Sequence, residues 1–177
     1  MTGAASTAVL LLSIGLLCAR RIDTATQLCT LQALFAAITL GEAATAIAVL
    51  AFSLNGLVLP LAIARANNVT ILSLRGNALL SWAVTLALLV VTGLIFAKVG
   101  ADGLVAAGVS VALLGPLLIV LRSHALAPAL GLLSSQNGLV LVAAALPDVS
   151  LPAASAAAVP LIPALVLAET WLRRCSA

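Results

Sequence analysis

Charged residues are scarce in this chain. They make up 7% of its 177 residues, and only one histidine is present. An ordinary soluble domain has about 25% charged residues, whereas 64% of this chain is hydrophobic. No water-soluble fold of this size can bury so much apolar surface. The composition therefore predicts an integral membrane protein with almost no extramembrane domain.

Aromatic residues and cysteines are also few, and their scarcity excludes some classes of membrane protein. A transmembrane β-barrel has alternating strands of about ten residues and aromatic girdles. Here the apolar runs are continuous, and only 3% of residues are aromatic. Cys18, Cys29 and Cys175 form no cluster that could by itself hold zinc or an iron–sulfur centre. We therefore expect an all-α membrane protein with no metal or other cofactor of its own.

Residue combinations typical of an active site are missing as well. The sequence has no nucleophile–base pair and no phosphate-binding loop. Its net charge of +3 comes from basic residues scattered at the ends of apolar segments, which is not a nucleic-acid-binding pattern. We predict that the chain alone is not an enzyme and that it binds no nucleic acid.

Seven apolar runs fill the chain, and each is close to the length of about 20 residues that a transmembrane helix needs. Gly41 and Glu42 form the tight turn between the second and third runs, and Pro60 and Pro116 lie inside runs. A proline there removes a backbone donor and kinks or locally opens its helix. The runs cover residues 4–19, 24–40, 43–64, 78–97, 104–121, 125–146 and 153–172.

The basic residues predict the orientation of these runs. With seven alternating spans, seven of the eight basic residues fall on one side, and only Lys98 falls on the other. Basic residues concentrate on the cytoplasmic side of membrane proteins, so we expect the N-terminus outside and the C-terminus in the cytoplasm. Arg20 and Arg21 follow the first run rather than precede it, so we expect an anchoring helix rather than a cleaved signal peptide.

Residues 131–138, within the sixth run, carry the most informative pattern. Their sequence is Gly-Leu-Leu-Ser-Ser-Gln-Asn-Gly. Gln136 and Asn137 fall near the centre of the run, where a polar side chain is costly in a bilayer unless it is partnered. The stretch resembles the Gly-x-x-x-x-Glu-Asn-Gly pattern of the hydrogenase-4 component E (HyfE-like) family. Gln136 stands where that family has a glutamate.

Further positions carry the same resemblance. The family has a glutamine near Gln32 and a glutamate at Glu42. Residues 52–61 are similar to its Phe-x-x-Lys-x-Leu-x-x-Pro-Leu pattern, with Asn55 in place of the lysine. An aspartate of the family falls near Ser155. Three ionisable positions of the family's membrane interior are thus neutral here.

The resemblance implies a fold and a role. Residues 1–98 would form an N-terminal four-helix region, and residues 99–177 a three-helix region similar to NuoK of respiratory complex I. The chain would be a multi-pass subunit, in a bacterial inner membrane, of a formate-hydrogenlyase or hydrogenase-4 type oxidoreductase. Its partners would be NuoL/NuoM-like and NuoH-like subunits and a peripheral redox arm with [NiFe]-hydrogenase ancestry. It would scaffold these subunits. The resemblance does not decide whether it also lines a proton path.

Two other functions compete with this one. The first is a small NuoK-like subunit of a Mrp-type cation/proton antiporter. The second is an independent small-solute transporter, but the halves of the chain show no repeat and no charged pair at mid-depth. The neighbouring genes would distinguish the three functions. Genes for hydrogenase-like subunits favour the oxidoreductase subunit, and a full antiporter operon favours the Mrp-type subunit. A gene that stands alone favours the transporter.

Five residues are candidates for an intramembrane polar or proton path. They are Gln136, Asn137, Asn55, Gln32 and Glu42. The adjacent amides Gln136 and Asn137 either bond across a packed helix interface or line a hydrated path. For Gln136 we favour the interface, because an amide cannot take and release a proton near neutral pH. Asn55 and Gln32, near mid-depth of the third and second runs, either form one polar axis or are scattered there by chance. For Glu42, at the outer turn, we favour a solvated carboxylate.

Overall fold

The helical architecture predicted from the sequence is confirmed in the described part of the chain. The computed structural model describes residues 2–41, 49, 52–58, 60–61, 78–99, 103–122 and 126–145. Every regular element in these ranges is a helix. They are α1 (Thr2–Cys18), α2 (Ile22–Gly41), a π-helical segment (Ser53–Val58), α3 (Ala78–Val99), α4 (Gly103–Leu121) and α5 (Ala127–Ala144).

These helices match the predicted apolar runs closely. The five α-helices correspond to the first, second, fourth, fifth and sixth runs, and each end lies within two residues of its predicted place. Most of the third run and the whole seventh run lie outside the described residues. Two described helices, α4 and α5, are long and apolar enough to cross a membrane. Seven spans, and the division at residues 98 and 99, stay predictions.

Two clusters of buried apolar side chains form the core, one toward each end of the bundle. The turn-side cluster comprises Leu16, Ala19, Ile22, Ala25, Cys29, Leu118, Leu126, Ala129, Leu130 and Leu133. The far cluster comprises Val9, Ala36, Ala37, Leu104, Val111, Val140, Leu141 and Ala143. Both clusters draw on α1, α2, α4 and α5, so these four helices share one core. From the order of the residues, α1 and α4 run in one direction, and α2 and α5 run in the other.

A glycine seam, formed by Gly108 and Gly115 of α4 and Gly131 and Gly138 of α5, joins α4 to α5. On each helix the two glycines are seven residues apart, or about two turns, so they share a face. A methyl group on Gly138 would lie 2.5 Å from the Gly108 carbonyl oxygen, and one on Gly131 would lie 2.5 Å from the Gly115 carbonyl oxygen. Because no side chain separates the backbones, the two helices pack in direct main-chain contact.

Pro116 interrupts the hydrogen bonding inside α4, and α5 compensates for the loss. A proline has no N–H, so the carbonyl of Ala112, four residues earlier, has no helical donor. The Ser135 hydroxyl of α5 donates to this Ala112 oxygen at 3.0 Å. The neighbouring helix thus supplies the bond that the proline removes, as is common in membrane helices.

Arg122 caps the end of α1 at the turn side of the bundle. It follows α4 and is buried, and burial lowers the pKa of its guanidinium from the ordinary value. An arginine nevertheless stays charged in proteins. Its Nη2 donates to the carbonyl oxygen of Leu17, one of the last carbonyls of α1, which have no partner within the helix. A cation is also favourable there because of the helix dipole.

The described basic residues divide between the two ends of the bundle. Arg20 and Arg21 follow α1 at the same end as Arg122. Lys98 lies in the last turn of α3. This helix packs on α4, where the Ser110 hydroxyl donates to the Thr92 hydroxyl at 3.1 Å. Only three residues separate α3 from α4, so the two helices must be antiparallel, and Lys98 lies at the end opposite Arg122.

Candidate functional site: a buried amide and hydroxyl network

Gln32 is the centre of a hydrogen-bond network that joins three helices. Its Nε2 donates to the hydroxyl of Ser13 on α1 at 2.6 Å and to the hydroxyl of Ser134 on α5 at 3.2 Å. Its Oε1 accepts a bond from Nδ2 of Asn137 on α5 at 3.2 Å. Both polar atoms of the Gln32 amide are therefore used, as a buried amide requires.

The network lies in the middle of the core. On α1, α2 and α5 its residues fall between those of the turn-side cluster and those of the far cluster. Ser13, Gln32, Ser134 and Asn137 are each 1% exposed. The four residues thus form one polar layer, sealed by apolar side chains on both sides. In such surroundings a hydrogen bond is electrostatically stronger than in water, and an unpaired polar group is costly.

Local helix geometry brings the network residues together. Ser134 and Asn137 are three residues apart on α5, so both face α2. Ser13 also donates its own proton to the Val9 carbonyl, one turn earlier, at 2.8 Å. This back-bond fixes the hydroxyl oxygen as an acceptor for Gln32. Serines inside helices can make such bonds to the carbonyl one turn earlier.

The structure places two of the five predicted site residues in direct contact. Gln32 and Asn137 are hydrogen-bonded to each other. Gln136 is equally buried, but its side chain leaves α5 about 100° away from that of Asn137. It is therefore Asn137 that faces Gln32. Glu42 lies outside the described residues.

Asn55 is buried in a different way from the network residues. It belongs to the π-helical segment and is 1% exposed, and neither of its amide atoms has a hydrogen-bond partner among the described residues. Pro60 follows this segment, and a proline clashes with the carbonyl four residues before it. Widening to the π form is one way for a helix to accommodate such a break.

Sequence reasoning missed Ser13 and Ser134. A lone serine in an apolar run gives no periodic signal, so the sequence alone does not indicate a role for Ser13. A signal did exist for Ser134, since it precedes Asn137 by one helical turn and so shares its face. The glycine seam was likewise only half visible, because the partner glycines of α4 are not part of the motif at residues 131–138.

The chemistry available in this layer is that of neutral hydrogen bonding. Amides and serine hydroxyls neither gain nor lose protons near neutral pH. Across the described ranges, no three His, Cys, Asp or Glu side chains lie close enough together to hold a metal ion. The layer is therefore suited to joining helices or ordering water.

An open groove lies on another side of α2, apart from the network. It has a volume of 520 Å³ and a mostly apolar surface. Asn55 and Gln32 do not line it. The lining residues are Thr26, Gln27, Thr30, Leu31, Gly56, Leu57, Pro60 and Leu61.

Comparisons of the chain with protein-family models, with curated proteins and with solved structures find no match.

Proposed function

We propose that this chain is a non-catalytic membrane subunit of a complex-I-related oxidoreductase of the formate-hydrogenlyase or hydrogenase-4 type. Its role there is to hold neighbouring membrane subunits, the NuoL/NuoM-like and NuoH-like ones, in place beside a peripheral redox arm. The proposed location is a bacterial inner membrane. The proposal rests on the resemblance of residues 131–138, Gln32 and residues 52–61 to component E.

One structural observation carries the proposal. Gln32 and Asn137 are two of the positions on which the resemblance depends, and they are hydrogen-bonded to each other. Gly131 and Gly138, the two motif glycines, both pack against main-chain atoms of α4. These four positions therefore lie in the buried contacts that α5 makes with α2 and α4.

The same region supports a structural role rather than proton relay. All four network residues are neutral, and Gln136 and Asn55 replace ionisable residues of the family. An ionised side chain at the centre of a membrane helix costs about 2.5–3.5 kcal/mol on insertion scales, and these replacements avoid that cost. They also remove the ionisable group at both positions.

Purification from native membranes tests the proposed role. An affinity-tagged chain, extracted in mild detergent, should be recovered with antiporter-like and NuoH-like subunits and with hydrogenase-like soluble subunits. Antiporter subunits without a redox arm would favour the Mrp-type alternative. A stable, active monomer would contradict both.

Replacing Gln136 by Leu separates the structural role from a hydrated proton path. A structural role predicts either impaired assembly or no effect, because only helix contacts change. A water path predicts normal assembly with lost proton transport, because the apolar side chain would exclude water. Proton uptake by membrane vesicles is the measurement, and Leu139→Ala, at an exposed position of α5, is the control. A fully assembled Gln136→Leu complex with no proton transport would overturn the structural interpretation.

A further inference from the structure

The side-chain amide of Asn55 is buried without the hydrogen bonds that the Gln32 network makes. This amide carries two donors and an acceptor. Asn55 is 1% exposed, and in the part of the chain that the structure describes neither Nδ2 nor Oδ1 has a hydrogen-bond partner. Burying such a group without compensation is strongly unfavourable. Buried polar groups in native proteins are therefore almost always bonded, either to protein or to ordered water.

The surroundings place Asn55 close to the polar layer. A methyl group on Gly56 would lie 3.3 Å from Cβ of Ala33 on α2. Asn55 directly precedes Gly56, and Gln32 directly precedes Ala33. One residue corresponds to a rise of about 1.5 Å along a helix. The two amides therefore lie at nearly the same level of the bundle.

The side chain of Asn55 is also turned away from the open side of its segment. Leu57 and Val58 are exposed, and Gly56 and Leu57 line the groove beside α2. Asn55 lines no part of that groove. Its amide therefore points into the protein, where lipid cannot reach it.

From these observations we infer that the Asn55 amide binds an internal water molecule beside the Gln32 network. A buried water typically makes about three hydrogen bonds to polar groups that would otherwise be unsatisfied. Asn55 supplies both a donor and an acceptor for it. The π-helical form of the segment is compatible with the inference, since short π-helical segments are frequently found at functional sites. The site makes this level of the bundle locally hydrated, whether or not the chain has the proposed subunit role.

Radiolytic footprinting of the full-length chain in its native membrane extract tests the inference. X-ray pulses generate hydroxyl radicals from bound water, and these radicals oxidise side chains next to it. Phe52, one helical turn before Asn55, is half-buried against the far cluster and is the reporter. We expect Phe52 to be oxidised in the wild-type chain. We expect at least threefold less oxidation in Asn55→Leu, because leucine cannot hold the water.

Two further variants make the test independent of how well Asn55→Leu folds. Asn55→Ser keeps a hydroxyl that can bind the water, so it should retain the oxidation of Phe52. Leu57→Ala, at an exposed position of the same segment, should leave it unchanged. Wild-type Phe52 that is not oxidised would overturn the inference. Equal oxidation in the wild-type and Asn55→Leu chains would also overturn it.

Discussion

Gln32 and Asn137 are 105 residues apart in the sequence, yet the Asn137 amide donates a 3.2 Å hydrogen bond to the Gln32 amide oxygen in the centre of the bundle. This bond connects the helix pair α1–α2 to the glycine-seamed pair α4–α5. The rest of the network adds Ser13 and Ser134 to the same connection. Buried polar groups make a packing arrangement specific, because a shifted helix would leave them unpaired.

Replacing Gln32 by Leu should weaken the bundle. The change leaves the Asn137 amide and the Ser134 hydroxyl without their bonds to Gln32, and an unsatisfied buried group costs about 1–3 kcal/mol. Thermal stability, followed by fluorescence-detected gel filtration of the extracted chain, is the measurement. Gln27→Leu makes the same substitution on an exposed face of α2 and should have no effect. An equal loss of thermal stability in both variants would show that the buried network stabilises the bundle no more than an exposed glutamine does.

The glycine seam predicts a sharp contrast among glycine-to-alanine substitutions. Gly138→Ala should be destabilising by about 1–3 kcal/mol or more, because its methyl group would overlap main-chain atoms that cannot move aside. Gly115→Ala should behave in the same way. Gly93→Ala is the matched control, since nothing lies within 4 Å of a methyl group there. If all three variants are equally stable, α4 and α5 are not in main-chain contact.

Ser135 and Pro116 should be energetically coupled. In the wild-type chain, Ser135→Ala leaves the Ala112 carbonyl with no donor, so it should cost about 1 kcal/mol. Pro116→Ala restores the N–H that bonds this carbonyl within α4. In the Pro116→Ala chain, the loss of stability caused by Ser135→Ala should therefore be smaller than in the wild-type chain. The four chains form a double-mutant cycle on thermal stability, and strictly additive effects would show that Ser135 does not compensate for the proline.

Arg20 and Lys98 should be accessible from opposite sides of the membrane. The structure places them at opposite ends of the bundle, and the basic-residue pattern places Arg20 in the cytoplasm. Single cysteines at these two positions, in a chain with its native cysteines replaced by serine, can be labelled with a membrane-impermeant thiol reagent. In intact cells we expect labelling at position 98 and protection at position 20. The reverse pattern would contradict the orientation, and labelling of both positions would contradict the bundle itself.

Helix positions could be predicted from the sequence, because polar and glycine-containing turns interrupt the apolar runs at clear places. The partners of the polar residues could not. Gln136 and Asn137 are adjacent and both are buried, so only the packing of α5 against α2 decides that Asn137 meets Gln32. Likewise, the Ser135 bond to the Ala112 carbonyl depends on the register between α4 and α5. A uniformly apolar sequence does not encode that register in any periodic pattern.

A double-mutant cycle between Gln32 and Asn137 tests the central claim most directly. Leucine is introduced at each position and at both, and the unfolding free energy of each chain is compared. We expect the double variant to be no less stable than either single variant, with a coupling energy of about 0.5–3 kcal/mol, the range for residues in one network. Additive losses would contradict the claim that these two amides hold the helix pairs together.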